Sequence, residues 1–253
     1  NPIPSKSSGK YTFDSLWCKA HGGWNSFYLC MNDAANGNVV FDEMYSKETA
    51  ANLDEYFETI APYLPEEKYI TVDLNPKYKE PLEKYGFKRQ LCLKHTPKAI
   101  KTSIKNIMAS YKKKGGKINR KDRKVIKEQE QKIIDMVLNE DLEEIDLIFE
   151  DMVDNLEFLH PCIQQLMNKF IIPNFNDFFW YLKVDGVPKT SNASELNFQI
   201  TLPKHVKRRM HIMEGSEKRI YLKYEYRKKK SDEKFEESMN KWINELLTNN
   251  YHI

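Results

Sequence analysis

The apolar pattern at the front of this chain changes period in an order that few folds accept. Tyr11–Trp17, Ser26–Met31 and Val39–Tyr45 are short apolar and aromatic runs of strand character, and Asn32-Asp33 and Asn36-Gly37 between the last two favour a tight turn. Thr49–Leu64 then takes a helical period, with Leu53, Tyr56, Phe57 and Ile60 on one stripe and Pro62 and Pro65 ending it. Tyr69–Val72 is a brief buried strand closing at Asp73, Pro81–Tyr85 a short helix stopped by Gly86, and Phe87–Leu93 a last strand leading to His95. A meander followed by a crossover to a parallel strand makes a mixed sheet with helices on its faces, an α/β fold.

From Pro97 the pattern is almost wholly helical. Breaks at Gly115-Gly116 and His160-Pro161 divide it into helices near 98–113, 120–138, 141–158 and 162–169, with Ile133, Val137, Ile145, Phe149, Met152 and Leu156 facing inward. Phe175–Val184 is aromatic-rich and closes at Asp185-Gly186; Phe179 and Trp180 there are core or hairpin residues or, alternatively, stack on an extruded base. Asn192–Gln199 begins another helix, with Ser191 or Asn192 as its cap, and Ser231–Leu247 forms a last one. The resulting organisation is a tail or linker at 1–10, a sheet-forming part at 11–97, a helical insertion at 98–170, a second part of the core at 171–230 and a terminal helix at 231–253. Because the chain opens with Asn on a Pro/Ser/Gly-rich stretch, it reads as a piece whose upstream domain is absent.

Charge is distributed in blocks, although the formal net charge is only +3. Lys98–Lys127 holds twelve Lys or Arg against the single acid Asp122, Glu140–Glu157 holds nine acids and no base, and Leu202–Lys230 holds eleven bases against three acids. Such blocks mark solvated faces or partner surfaces, and the acidic stretch can pair with the basic helix before it. Four dispersed cysteines without CxxC spacing fit a reduced compartment. With no apolar run near the roughly 20 residues that span a bilayer and no apolar signal core, the expectation is a soluble protein with no membrane partner.

Three carboxylates stand where acids are informative. Asp14 and Asp73 occupy strand positions, where Asp is a poor strand former and costly to bury unpaired; they are either edge and turn residues or ligands of a hard cation. Glu195, in the first turn of a helix, also fits a plain dipole or capping role. Cys92 and His95 lie three apart, but a structural zinc site needs four ligands and no second closely spaced pair exists.

Taken as an ordered set, these residues resemble the catalytic domain of a DDE transposase with a ribonuclease H-like fold, related to the insertion-sequence and Mutator-type enzymes. Phe13-Asp14-Ser15 ahead of Trp24–Asn38 resembles the family's first Asp and the following strand with its Asp and Gly-containing turn. Ile70-Thr71-Val72-Asp73, followed by Leu91-Cys92-Leu93-Lys94-His95, resembles its second Asp and Cys-x-x-His motif. Pro188–Glu195 followed by Leu202–Arg209 resembles the third acid at an Asn-rich helix start before a basic stretch. The match runs from about Tyr11 to Lys230, departing at Ser15, where many relatives have Glu, and at Ser194, where they carry a second Asn or similar residue.

The resemblance implies an all-helical segment interrupting the core before the last acid. It implies catalytic and metal-binding roles for Asp14, Asp73 and Glu195, with Asp33 competing for the first position, and two Mg²⁺ or Mn²⁺ ions as cofactors. It further implies DNA, including transposon ends, as partner, a homo-oligomer, strand cleavage and transfer as the reaction, and a cytoplasmic, nucleoid or nuclear setting according to the host. His95 would contact a phosphate or orient the site; Lys204, Lys207, Arg208 and Arg209, and Lys112, Lys113 and Lys114, would meet DNA phosphates, against the plainer reading of lysine-rich solvated faces. A nuclease of the same fold and a catalytically inactive DNA-binding derivative are the alternatives.

Overall fold

The computed structural model describes residues 7–19, 25–207 and 213–229. Five strands, β1 (Lys10–Lys19), β2 (Asn25–Asp33), β3 (Val39–Tyr45), β4 (Lys68–Val72) and β5 (Phe87–Leu91), form one sheet in the order β3-β2-β1-β4-β5. β4 lies parallel to both β1 and β5. The links β1–β2 and β2–β3 are far shorter than the dozen or more residues a parallel crossover needs, so the first three strands run as an antiparallel meander. Gly37 takes a φ of 70° in the β2–β3 turn, and Asp33 accepts the Ala35 N–H there at 2.9 Å.

The crossover from β3 to β4 is helix α1 (Ala50–Ile60), capped by Thr49, whose hydroxyl accepts the Asn52 N–H. Its buried side chains are Leu53, Tyr56, Phe57 and Ile60, the expected stripe. Phe13 of β1 meets Tyr56, Phe57 and Tyr78 at ring-centroid distances of 5.3, 5.1 and 5.2 Å, so this sheet face is cemented by aromatic edges. A 3₁₀ turn at Pro76–Tyr78 leads into helix α2 (Lys79–Lys84), and Gly86, with φ 74°, turns the chain into β5. β4 is buried at all five positions, as a central parallel strand covered on both faces should be. The strand order and flanking helices make a mixed α/β arrangement of the Rossmann-like and ribonuclease H-like kind.

β5 ends at Leu91, two residues earlier than expected. Cys92 still donates its N–H to Val72 O at 2.8 Å, but His95 N–H folds back onto Cys92 O and feeds directly into α3 (Thr96–Lys113). α4 (Arg120–Leu138) opens on a capping box of Asn119 and Asp122, and α5 (Leu142–Asp154) on Asp141, which accepts two backbone N–H groups. α5 is shorter than the pattern suggested, because the Asn155 side chain turns back onto Asp151 and a 3₁₀ turn, Leu156–Phe158, follows. α6 (Pro161–Leu166) runs on as a π-helical turn at Met167–Ile171, a 3₁₀ stretch at Ile172–Phe178 and α7 (Trp180–Lys183).

Ile133, Val137, Ile145 and Met152 are buried in one apolar cluster with Leu91 and Leu93, and Phe149 and Leu156 pack against it. Phe179 is buried in this cluster, which removes it from base stacking; Trp180 lies 5.5 Å from the Tyr69 ring with Lys88 over its face. Lys132 of α4 pairs with Asp151 of α5 at 2.7 Å, an instance of the expected basic–acidic helix pairing.

The chain divides into two compact units. The larger holds the described residues up to Ser15, Leu29–Glu43 and Glu48–Glu195; the smaller holds the described residues of Leu16–Tyr28, Met44–Lys47 and those from Leu196 onward. In the smaller unit the Tyr28 and Phe198 rings meet at 5.6 Å, and α9 (Lys204–Lys207) and α10 (Met213–Lys229) follow. The apolar residues of α10 follow no single stripe, so its helix was not evident from periodicity. The expected Ser231–Leu247 helix lies outside the described residues. Among the described residues no helix is long and apolar enough to cross a membrane.

Candidate functional site

Register alone sets two of the acids side by side. Lys10, Tyr11 and Thr12 of β1 face Tyr69, Ile70 and Thr71 of β4; carried two residues further, the same register leads to Asp14 on β1 and to Asp73, the residue that follows the end of β4 at Val72. Alternation puts Thr12 and Asp14 on one face, together with Thr71 and Asp73, and leaves Phe13 to the aromatic face packed on α1.

The segment before helix α8 (Asn192–Thr201) docks across that same face strand by strand. Leu93 donates its N–H to Lys189 O at 3.0 Å, Thr71 Oγ1 donates to Pro188 O at 2.5 Å, and the Ser191 N–H meets the buried Cys92 Sγ at 3.4 Å. Ser194, fully buried, donates to Thr12 Oγ1 at 2.9 Å and accepts from Asn32 Nδ2 at 3.0 Å. Glu195 follows directly, in the first turn of α8. Ser191 takes the expected cap position, with Ser194 and Glu195 N–H groups returning to its carbonyl, but its buried hydroxyl makes no hydrogen bond.

Electrostatics bind these acids into one group. Burial, chiefly, pushes the Asp14 carboxyl up to about 7; the Ser15 N–H at 2.8 Å opposes that, and the charges of Asp73, Glu195 and Glu48 add to it. Burial likewise raises Asp73, against the Asn75 N–H bond and the nearness of His95, with Glu48 adding to the rise. Glu48, just before α1, escaped the sequence reading: it accepts the Tyr78 hydroxyl at 2.8 Å and Asn75 Nδ2 at 3.3 Å. Burial raises the Tyr78 hydroxyl far above its ordinary range, with Asp73 and Glu48 contributing, so it stays a donor. Asp73, Asn75, Glu48 and Tyr78 thus form a continuous hydrogen-bonded chain.

Glu195 has two basic neighbours from the turn after β5. Lys94 Nζ lies 2.7 Å from Oε2, and His95 Nε2 lies 3.4 Å from Oε1; Lys94 also bonds Asn192 Oδ1 at 3.0 Å. The bond to Glu195 raises the Lys94 ammonium above its ordinary value. Among the described residues, no group of three or more His, Cys, Asp or Glu side chains is arranged to hold a metal ion.

Asp33, the competitor for the first acid, ends β2. Its carboxylate accepts the Ser8 N–H at 2.8 Å and the Ala35 N–H at 2.9 Å, tying the hairpin turn to the residues ahead of β1. Lys112, Lys113 and Lys114 are exposed at the end of α3, and Lys204 is exposed on α9. Lys207 ends α9, while Arg208 and Arg209 lie outside the described residues. Neither Glu48 nor Lys94 carries a spacing signal; the visible hint was the direct adjacency of Lys94 to His95.

The insertion element ISM1 uncharacterized 48.3 kDa protein of Methanobrevibacter smithii is similar to this chain, 24% identical over 204 residues. The alignment covers 79% of this chain and 48% of that protein, so the chain spans about half the length of the curated relative it matches. No family model and no solved structure matches.

Proposed function

We propose that this chain is the catalytic core of a DDE transposase, in which Asp14, Asp73 and Glu195 hold divalent cations while DNA strands are cut and rejoined. The observation that carries this reading is that the register of the parallel pair β1–β4 leads to Asp14 on one strand and to Asp73 just past the end of the other, with the Ser194–Thr12 bond seating the residue before Glu195 on the same sheet. The sequence similarity to an insertion-element protein supports it independently.

The donor set is all carboxylate oxygen, the type that hard cations prefer, and a bound cation would relieve the burial and mutual repulsion that raise Asp14 while drawing the three acids closer than the structure holds them. Two Mg²⁺ or Mn²⁺ ions, when bound, supply a lowered proton affinity at a water or 3′-hydroxyl and charge uptake at the leaving oxygen. Asp14 and Asp73 anchor the site from the sheet, and Glu195 completes it from α8. Glu48, through Asn75 and Tyr78, fixes the loop after β4 and hence the Asp73 carboxylate. His95 orients Glu195, and α3–α7 stand in this reading as the helical insertion between the second and third acids. Lys112, Lys113, Lys114, Lys204, Lys207, Arg208 and Arg209 contact DNA phosphates, giving salt-sensitive binding with little sequence preference.

The test pairs cleavage with binding for wild type and Asp73→Asn on transposon-end and unrelated DNA in Mg²⁺. The amide removes an anionic ligand at nearly constant size, so cleavage should fall by about 10³-fold or more while binding holds. Equal cleavage by the variant overturns the proposal. Hydrolysis of all DNA without joining assigns the site to a nuclease instead.

A further inference from the structure

Glu195 already has a cationic partner. Lys94 Nζ is fixed by two oxygens, Glu195 Oε2 at 2.7 Å and Asn192 Oδ1 at 3.0 Å, both from the first turn of α8. The lysine side chain is 48% exposed and Glu195 27%, so the pair sits at the mouth of the acid cluster rather than inside it. Neither Asp14 nor Asp73 has a lysine or arginine among the groups that act on it: Asp14 feels three carboxylates, and Asp73 feels the Glu48 carboxylate against the opposite pull of His95. The ammonium therefore neutralises one particular acid, the one that arrives on a helix instead of on the sheet.

We infer that Lys94 is an exchangeable internal counter-ion: it holds Glu195 until a divalent cation takes that carboxylate, and the released ammonium then binds a DNA phosphate beside the site. This rests on the reading of Asp14, Asp73 and Glu195 as a cation site. An exposed lysine–carboxylate pair is weak enough to be broken by a divalent ion, and a released lysine at a carboxylate-held cation is placed to meet the same phosphate as the cation. Lys94 is a positioning residue in this scheme until DNA is bound.

The scheme gives opposite signs to two measurements on one variant. Mn²⁺ binding to the DNA-free chain, followed by calorimetry, should be about 3- to 10-fold tighter in Lys94→Gln than in wild type, because the competitor for Glu195 is gone. DNA binding in Ca²⁺ should be weaker in the same variant, with the slope of log affinity against log salt reduced by about one. Lys94→Arg should return both values toward wild type. A lysine that merely braces α8 would give a Mn²⁺ affinity unchanged or weakened in Lys94→Gln, and that result overturns the inference. Asp73→Asn, measured alongside, separates the two levels. If it binds Mn²⁺ as tightly as wild type, the cation site itself is wrong; if it loses Mn²⁺ while Lys94→Gln equals wild type, only the counter-ion exchange is.

Discussion

Two half-buried aspartates in the larger unit have opposite surroundings. Asp177 is pushed up by burial, but Arg89 answers it: Nε at 3.1 Å and Nη2 at 2.6 Å both reach Asp177 Oδ2, and Nη2 also reaches Asn174. Asp14 is pushed up by burial too, yet the charges around it are Asp73, Glu195 and Glu48. The first aspartate has a cation built in, the buried guanidinium of Arg89. The second has only carboxylates among the charges acting on it, and under the proposed function its cation comes from solution.

Removing the built-in cation should therefore have the largest effect on stability. Arg89→Ala strands Asp177 and should cost about 3–5 kcal/mol, read from urea unfolding. A cost below about 1 kcal/mol would erase the distinction between the two aspartates. Asp14→Asn should act in the opposite direction. Its folded pKa, about 7, lies above the ordinary 3.8, so the native state carries a proton that the unfolded state has lost, and stability falls as pH rises between those values. In EDTA at pH 8 the amide variant should be more stable than wild type by on the order of 1–3 kcal/mol, and the gap should close toward pH 4. A pH-independent gap would remove Asp14 from the coupled group. Glu48→Gln should lower Mn²⁺ affinity by about tenfold without unfolding the chain, since it acts on Asp73 through Asn75. Lys132→Ala, which opens the exposed α4–α5 pair, should change stability by less than about 0.5 kcal/mol.

What could be read from the sequence was what repeats locally. The α1 stripe is a 3.6-residue pattern, the β2–β3 turn is Asn/Gly chemistry, and Asp14 and Asp73 stood out because aspartate is poorly suited to a strand. Asp33, the competitor for the first position, spends both oxygens on backbone N–H groups, a use that only the folded chain shows. Glu48 was hidden because a glutamate ahead of a helix cap is ordinary, and its role comes from Tyr78 and Asn75, which only the folded chain brings to it. Ser194 looked like a departure from a motif, whereas its hydroxyl is the pin that seats α8 on the sheet. The Ile172–Lys183 region was opaque because its aromatic residues sit in short 3₁₀ and α turns too brief to show a period.

The Ser194–Thr12 bond joins residues 182 positions apart. A ribosome releasing about 5–20 residues each second delivers Asp14 and Asp73 well before Ser194 and Glu195. Asp14 and Asp73 can thus settle on and beside the sheet while Glu195 is still unsynthesised, and Glu195 arrives only after the whole helical stretch has been made. Under the proposed activity, a chain cut short anywhere in that stretch has a sheet but no complete site. The topology of one hydrogen bond then defers that activity until Ser194 and Glu195 have left the ribosome.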